Sequence, residues 1–170
     1  MLIRKSTRDD IAGIIAMYPE AFPDEDLVPV VRNLLNDESI ALSLVATGEQ
    51  GIVGNVIFTT CGVEGNDTRA ALLGPLAVAP DCQRQGIGSA LVRDGLRRLE
   101  DAGFDLVCVL GDPNYYGRFG FVPERQVATP YPLPADWADA WQSQYLGEAT
   151  AGAGTLLVPP PWQHPELWSE

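Results

Sequence analysis

The sequence runs to 170 residues, 46% of them hydrophobic and 20% charged, with a formal charge of −12. That is the composition of a globular chain with one continuous core, and so acidic a balance offers no basic surface to nucleic acid while favouring cationic partners such as amines. No apolar run reaches the roughly 18 residues of a membrane span, and the opening MLIRKSTRDD lacks a signal-peptide core, so a cytoplasmic protein with no membrane partner is expected.

Residues 1–6 alternate apolar and polar side chains and read as a short strand. STRDDIAGIIAMY then starts a helix: Thr7 and Asp10 form a capping-box pattern, and Ile11, Ile14, Ile15 and Tyr18 keep the helical period. Pro19 and Pro23 break this segment, and a second helix is expected from about Leu27 to Leu35. IALSLVATGEQGIVGNVIFTT is two apolar runs around a glycine-punctuated turn, a hairpin signal. TRAALLGPLAVAP is a further strand, and Gly74–Pro75 inside it predicts a bulge or a lost ladder bond.

IGSALVRDGLRRLEDAG is a clear helix, with Leu91, Val92, Leu96 and Leu99 on one face and Gly103 at its end. FDLVCVLGD is a buried strand, and PNYYGRFGF a tight helical turn entering another strand. After Val122 the chain is rich in proline and aromatics. Trp137, Trp141 and Tyr145, four apart, suggest one face of a short helix, read as core packing ahead of an aromatic wall over a substrate. A late strand is expected at Thr155–Val158. Hairpins followed by a strand–helix–strand unit make a mixed sheet with helices on it, an α/β (α+β) fold. Cys61, Cys82 and Cys108 are odd in number and widely spaced, which argues against a disulfide framework or zinc cluster; Cys108, within LVCVL, reads as a small buried hydrophobe, and the lone His164 is too distant for a Cys–His pair.

The most informative stretch is APDCQRQGIGSALV, residues 79–92. A glycine-bearing turn between a strand and a helix aims backbone N–H groups outward at the positive end of the helix dipole, and glycine lets a bulky anion approach; a phosphate or pyrophosphate is the natural ligand. A P-loop would need Gly-Lys-Ser/Thr, but Gly88 is followed by Ser89 and Ala90. A Rossmann fingerprint would need a third glycine where Leu91 stands. The remaining pattern, Gln/Arg-x-x-Gly-x-Gly/Ala, is met by Gln83-Arg84-Gln85-Gly86-Ile87-Gly88. With LGPLAVAP before it and YYGRFGF after the next strand, the segment resembles the signature of the GNAT superfamily of N-acetyltransferases, in particular a subgroup of bacterial proteins carrying a YYGRFGF-type segment. The resemblance covers residues 1 to about 125 and extends to the final GTLLVPPPW.

This resemblance implies a GNAT fold: a mixed, mostly antiparallel sheet whose central strand pair splays apart, flanked by helices, in one domain over residues 1–170. Its core would be about 1–125, with a Pro/aromatic-rich extension over 126–170. It implies acetyl-coenzyme A as donor, with pantetheine along Leu76, Ala77 and Val78 and the pyrophosphate on the turn Gln83, Arg84, Gln85, Gly86, Ile87, Gly88 and Ser89. Asn114 would cap the short helix or bond the cofactor. Tyr116, five residues before Phe121, takes the place of the family's general acid, while Tyr115 would point elsewhere. The base stays open among Glu64, Asp112, Glu20, Asp24, Glu25 and Asp26, or no base at all. The expected reaction is direct acetyl transfer to a small-molecule or peptide amine. An acyl-CoA sensor without turnover and transfer to a non-amine acceptor are the alternatives, and a homodimer would be in keeping with the family.

Overall fold

The computed structural model describes residues 1–150 and 152–169. Strand β1 (Leu2–Lys5) leads into helix α1 (Ile11–Ala21) and helix α2 (Val28–Leu35). Three strands follow, β2 (Ile40–Gly48), β3 (Gly51–Val63) and β4 (Asn66–Val78), then helix α3 (Ile87–Asp101) and strand β5 (Leu106–Leu110). After the short helix α4 (Pro113–Tyr116) come β6 (Val122–Pro123), β7 (Val127–Ala128), β8 (Trp141–Tyr145) and β9 (Gly154–Leu157). The sheet runs β1-β2-β3-β4-β5-β8-β6, with β9 joining both β3 and β7. Its pairs are antiparallel except β4–β5 and β7–β9.

Strand alternation distributes the core onto two faces. Leu44, Val56, Phe58, Leu73, Val107 and Val109 pack against Leu91, Val92, Leu96 and Leu99 of α3, the apolar face its helical spacing predicts. On the opposite face Ile14, Met17, Tyr18, Val31 and Leu34 of α1 and α2 cover Val45, Ile57 and Ala77. The rest of that face is covered by the C-terminal segment, where Trp141, Leu156 and Trp168 bury Cys61, Leu106 and Cys108. Both cysteines are small core hydrophobes, and burial pushes the Cys61 thiol up to about 12. Among the described residues no three His, Cys, Asp or Glu side chains could hold a metal, and no helix is long and apolar enough to cross a membrane.

Two local expectations fail for physical reasons. Pro19 lies inside α1, which continues to Ala21. The proline is exposed, so water can satisfy the carbonyl it leaves unpaired, and the buried face of Ile14, Met17 and Tyr18 holds the helix together. Trp137, Trp141 and Tyr145 do not share a helix: Trp137 sits in a 3-10 turn over 135–140, whereas Trp141 opens β8 and pairs with Leu110. A spacing of four suits the strand period of two as well as the helix, so Trp141, Ser143 and Tyr145 share one strand face. The late strand begins one residue early, at Gly154.

Elsewhere the sequence signals hold. The Asp10 carboxylate accepts the Thr7 N–H at 2.7 Å and is gripped by both Arg4 nitrogens at 2.7 and 2.9 Å, which ties β1 to the start of α1. The extension is fastened by Glu124, which is 7% exposed. Its carboxylate accepts from Ser143 Oγ (2.6 Å), Tyr145 Oη (3.0 Å) and the backbone N–H groups of Gln126 (2.6 Å) and Val127 (2.8 Å). Burial acts to raise its pKa, but these four donors prevail and hold it below the usual glutamate value. A depressed folded pKa gives stability that is present above the unfolded value and lost as pH falls. Glu124→Gln, which turns an acceptor into a donor among donors, is expected to cost about 2 kcal/mol in urea unfolding at pH 7. The gap between wild type and variant should narrow as unfolding is repeated at pH values descending through the carboxylate range.

Candidate active site

The site begins with a broken ladder. β4 pairs with β5 from Ala70↔Leu106 to Leu73↔Val109 and then stops. Its register against β3 slips at the same place, between Phe58↔Leu73 and Val56↔Leu76. Gly74 (φ +147°) and Pro75 occupy the gap, and proline has no N–H to give to either neighbour. β4 therefore leaves β5 while staying on β3, and one edge of Leu76–Val78 is open. Alternation decides which groups face the opening: the Val78 carbonyl accepts from Gln83 Nε2 at 3.0 Å, so it points away from β3, as do the backbone groups of Leu76. Ala77, opposite Asn55, turns toward β3.

The strand runs into a 3-10 turn over Pro80–Cys82 and then the glycine turn. Arg84 (φ +62°) is the one non-glycine residue with positive φ among those described, and Gly86 (φ +84°) caps α3 in the same left-handed region. The first N–H to close on the helix is Ala90 onto Gly86 O at 3.0 Å. The N–H groups of Ile87, Gly88 and Ser89 thus lack an intrahelical acceptor, at the positive end of a 15-residue helix. Gly88 is required for space: a Cβ there would lie 2.6 Å from the Tyr115 hydroxyl oxygen.

Helix α4 closes the site from the other side. Asp112 caps it, accepting the Asn114 N–H at 2.9 Å. Tyr116 packs edge-on to Phe121 (5.9 Å between centroids), and a Cβ on Gly111 at the end of β5 would overlap its ring. Burial, with Tyr115 beside it, raises the Tyr116 pKa above the ordinary value of 10, so the hydroxyl keeps its proton at neutral pH. Tyr115 does not point elsewhere, as helical geometry suggested; it bends over Gly88 beneath the Arg118 guanidinium, 4.6 Å from its ring centroid. Its pKa is raised by burial against the pull of Arg118 and the Ser89 hydroxyl.

These pieces enclose a cleft of about 640 Å³. Of the residues singled out from the sequence, Leu76, Val78, Gln83, Arg84, Gly86, Ile87, Gly88, Ser89 and Tyr116 line it together. Ala77 does not, Gln85 turns its amide back to Asp81 O (3.4 Å), and Asn114 is exposed outside the cleft. Cys82, Tyr115, Arg118, Ala21 and Phe22 complete the walls; Cys82 and Arg118 flank the glycine turn and the paired tyrosines in sequence, whereas nothing around Ala21 and Phe22 signals this place. A second cavity of about 650 Å³ lies across the bulge, lined by Leu72–Pro75, Leu110, the α1–α2 connection and the C-terminal segment. Glu25 and Asp26 border it; Asp112 serves as a helix cap, and Glu64 sits at the β3–β4 hairpin, its N–H on Thr155 O.

A sheet split beside a glycine-capped helix N-terminus, with a protonated tyrosine across the gap, is the site of a coenzyme-A-type acyltransferase fold. Residues 2–123 match the family model for the acetyltransferase (GNAT) domain, and the chain belongs to that family. It is 36% identical to the uncharacterized N-acetyltransferase YhbS of Escherichia coli K12 over 162 residues, covering 93% of this chain and 95% of that one. It is also 36% identical to YjhQ of the same strain over 146 residues, 82% of this chain and 81% of YjhQ. The crystal structure of E. coli YhbS in complex with CoA superposes with a TM-score of 0.86 at 30% identity, covering 96% of this chain and 92% of that one. A GNAT family acetyltransferase from Brucella melitensis in complex with acetyl-CoA gives 0.78 at 28% identity, covering 95% and 97%.

Gly86 holds a conformation that costs other residues roughly 1–2 kcal/mol. Gly86→Ala should therefore lower the urea unfolding midpoint by an equivalent amount with an unchanged m-value.

Proposed function

We propose that this protein transfers an acetyl group from acetyl-coenzyme A to an amine acceptor in a ternary complex. The observation that carries this reading is the cleft's charge. In a chain of net charge −12 its lining holds Arg84 and Arg118 and no carboxylate, beside the free N–H groups of Ile87, Gly88 and Ser89. That is a fit for a polyanion. The open edge at Leu76 and Val78 suits an extended amide-bearing chain, which would pair with it as an added strand does. Bound acetyl-coenzyme A would supply the acetyl group as an activated thioester.

The chain's residues then divide the work. Gly86 and Gly88 permit close approach of the phosphates to the helix start, with Arg84 and Arg118 at the rim. The outward N–H of Leu76 is placed to polarise the thioester carbonyl. As the nitrogen–carbon bond forms and the carbon–sulfur bond breaks, a proton must leave the nitrogen and sulfur must gain one. Tyr116 serves the sulfur. An ordinary thiol (pKa about 8.5) is a stronger acid than this tyrosine, so outright donation would run uphill. Tyr116 acts by donating a hydrogen bond to the departing sulfur and by relaying a proton as the amine gives one up. No carboxylate lines the donor cleft to serve as base, so the acceptor nitrogen must arrive able to lose its proton.

The test is thiol release from acetyl-coenzyme A with a panel of amines, followed colorimetrically, alongside calorimetric coenzyme binding. Tyr116→Phe is expected to lower kcat about 10- to 100-fold, below the full range of general acid catalysis, with coenzyme affinity within twofold. Equal kcat in that variant would remove the role of Tyr116, and failure to bind coenzyme would sink the whole reading. Gly88→Ala, which drives Tyr115 off the turn, should weaken coenzyme binding about tenfold, the equivalent of ~1.4 kcal/mol.

A further inference from the structure

The second cavity has the opposite electrostatic character to the donor cleft. Glu25 and Asp26 from the α1–α2 connection and Glu166 from the C-terminal segment stand around it, all exposed, and no Lys, Arg or His is among its lining residues. His164 lies 3.5 Å from Glu166 but outside the cavity. Neither Glu25 nor Asp26 has an ion-pair partner among the described residues.

The carboxylates do not stand alone. Two half-buried indoles, Trp137 and Trp162, form walls of the same cavity with the buried Trp168 packed behind Trp162, and its floor is the β4 bulge itself, Leu73 to Pro75. Two of the indoles are fixed: Trp162 Nε1 donates to Thr59 Oγ1 (3.1 Å), and Trp168 Nε1 to the Trp162 carbonyl (3.0 Å), with the two rings edge-on at 6.1 Å. Trp162, held by the buried Trp168 and with its N–H already satisfied, offers a rigid apolar surface to a ligand. About 650 Å³ suits a small molecule. Carboxylates around low-dielectric walls focus their field on a cation anywhere inside, and indole faces attract the same charge.

Resting on the acetyl-transfer reading for its reaction, we infer that this cavity is the acceptor site, and that it selects a small cationic amine with an apolar body that carries no carboxylate of its own. The Glu25–Asp26 rim sets the charge requirement, and Trp137 and Trp162 take up the body. Because these residues come from the α1–α2 connection and the C-terminal segment, selection of the acceptor is separate from the residues that would hold the donor.

Three probes of matched body decide the matter: 2-phenylethylamine, phenylalanine and 3-phenylpropanoate. Each is titrated calorimetrically into the full-length protein saturated with coenzyme A, and each is assayed for thiol release with acetyl-coenzyme A. The amine is expected to bind, phenylalanine to bind at least about tenfold more weakly, and 3-phenylpropanoate not to bind measurably. The double variant Glu25→Gln/Asp26→Asn, confined to an exposed connection, should weaken amine binding about tenfold while leaving coenzyme affinity within twofold. Equal binding of the amine and either carboxylate, amine binding indifferent to the double variant, or no amine binding at millimolar concentration would each overturn the inference. Amine binding without thiol release would uphold the cavity's ligand class and overturn acetyl transfer alone. Thiol release with phenylalanine as readily as with 2-phenylethylamine would do the reverse.

Discussion

The structure depends on one missing hydrogen-bond donor. Pro75 has no N–H, and with Gly74 at positive φ it interrupts β4 in the middle of the sheet. Up to Leu73 the strand is an ordinary central member, paired on both sides. Beyond Pro75 it keeps only β3, and the edge facing β5 is left open. A buried sheet rarely leaves such an edge free, since unpaired backbone groups there are costly. The open edge and the helix N-terminus beside it thus concentrate unsatisfied donors and acceptors in one place, and those are what a polar, extended, anionic ligand can satisfy. The surrounding core keeps the gap from closing: α3 holds one face and α1 with α2 the other. Tyr18 Oη donates to Asn55 Oδ1 (2.7 Å) and Asn55 Nδ2 to Leu44 O (2.9 Å), a buried link beside Ala77 where β4 leaves the bulge.

Much of this was legible in the chain. The capping pattern at Thr7, the stripe on α3, the hairpin between β2 and β3 and the glycine–proline bulge are local signals, each with a local physical cause, and the fold realises them all. The cleft beside α3 was legible for the same reason: its glycine turn is contiguous in sequence, and six residues of that turn meet Leu76, Val78 and Tyr116 in space. Ala77, Gln85 and Asn114 fell outside because adjacency in sequence does not determine which way a strand or turn residue faces.

Other features could not be read. Trp141 was ambiguous because a spacing of four fits both regular periods. The place of Tyr115 is hidden because a one-turn helix need not follow ideal helical spacing, and Gly88 makes room for its hydroxyl above the turn. The second cavity is assembled from residues more than a hundred positions apart, such as Glu25 and Glu166. Proline-rich 3-10 turns at the end of the chain carry no periodicity from which their packing could be foreseen.

The Glu124 fastening has a wider consequence. It gathers β6, β7 and β8 at the boundary where the family match ends, at residue 123, and beyond it the chain folds back to wall the second cavity with Trp137, Trp162 and Trp168. The molecule is in this sense jointed: the broken strand and the glycine turn precede the fastening, and most of the second cavity's aromatic wall follows it. A change past the joint can therefore reshape the second cavity while the broken strand and its glycine turn stay as they are, so that the two hollows answer largely to different stretches of chain.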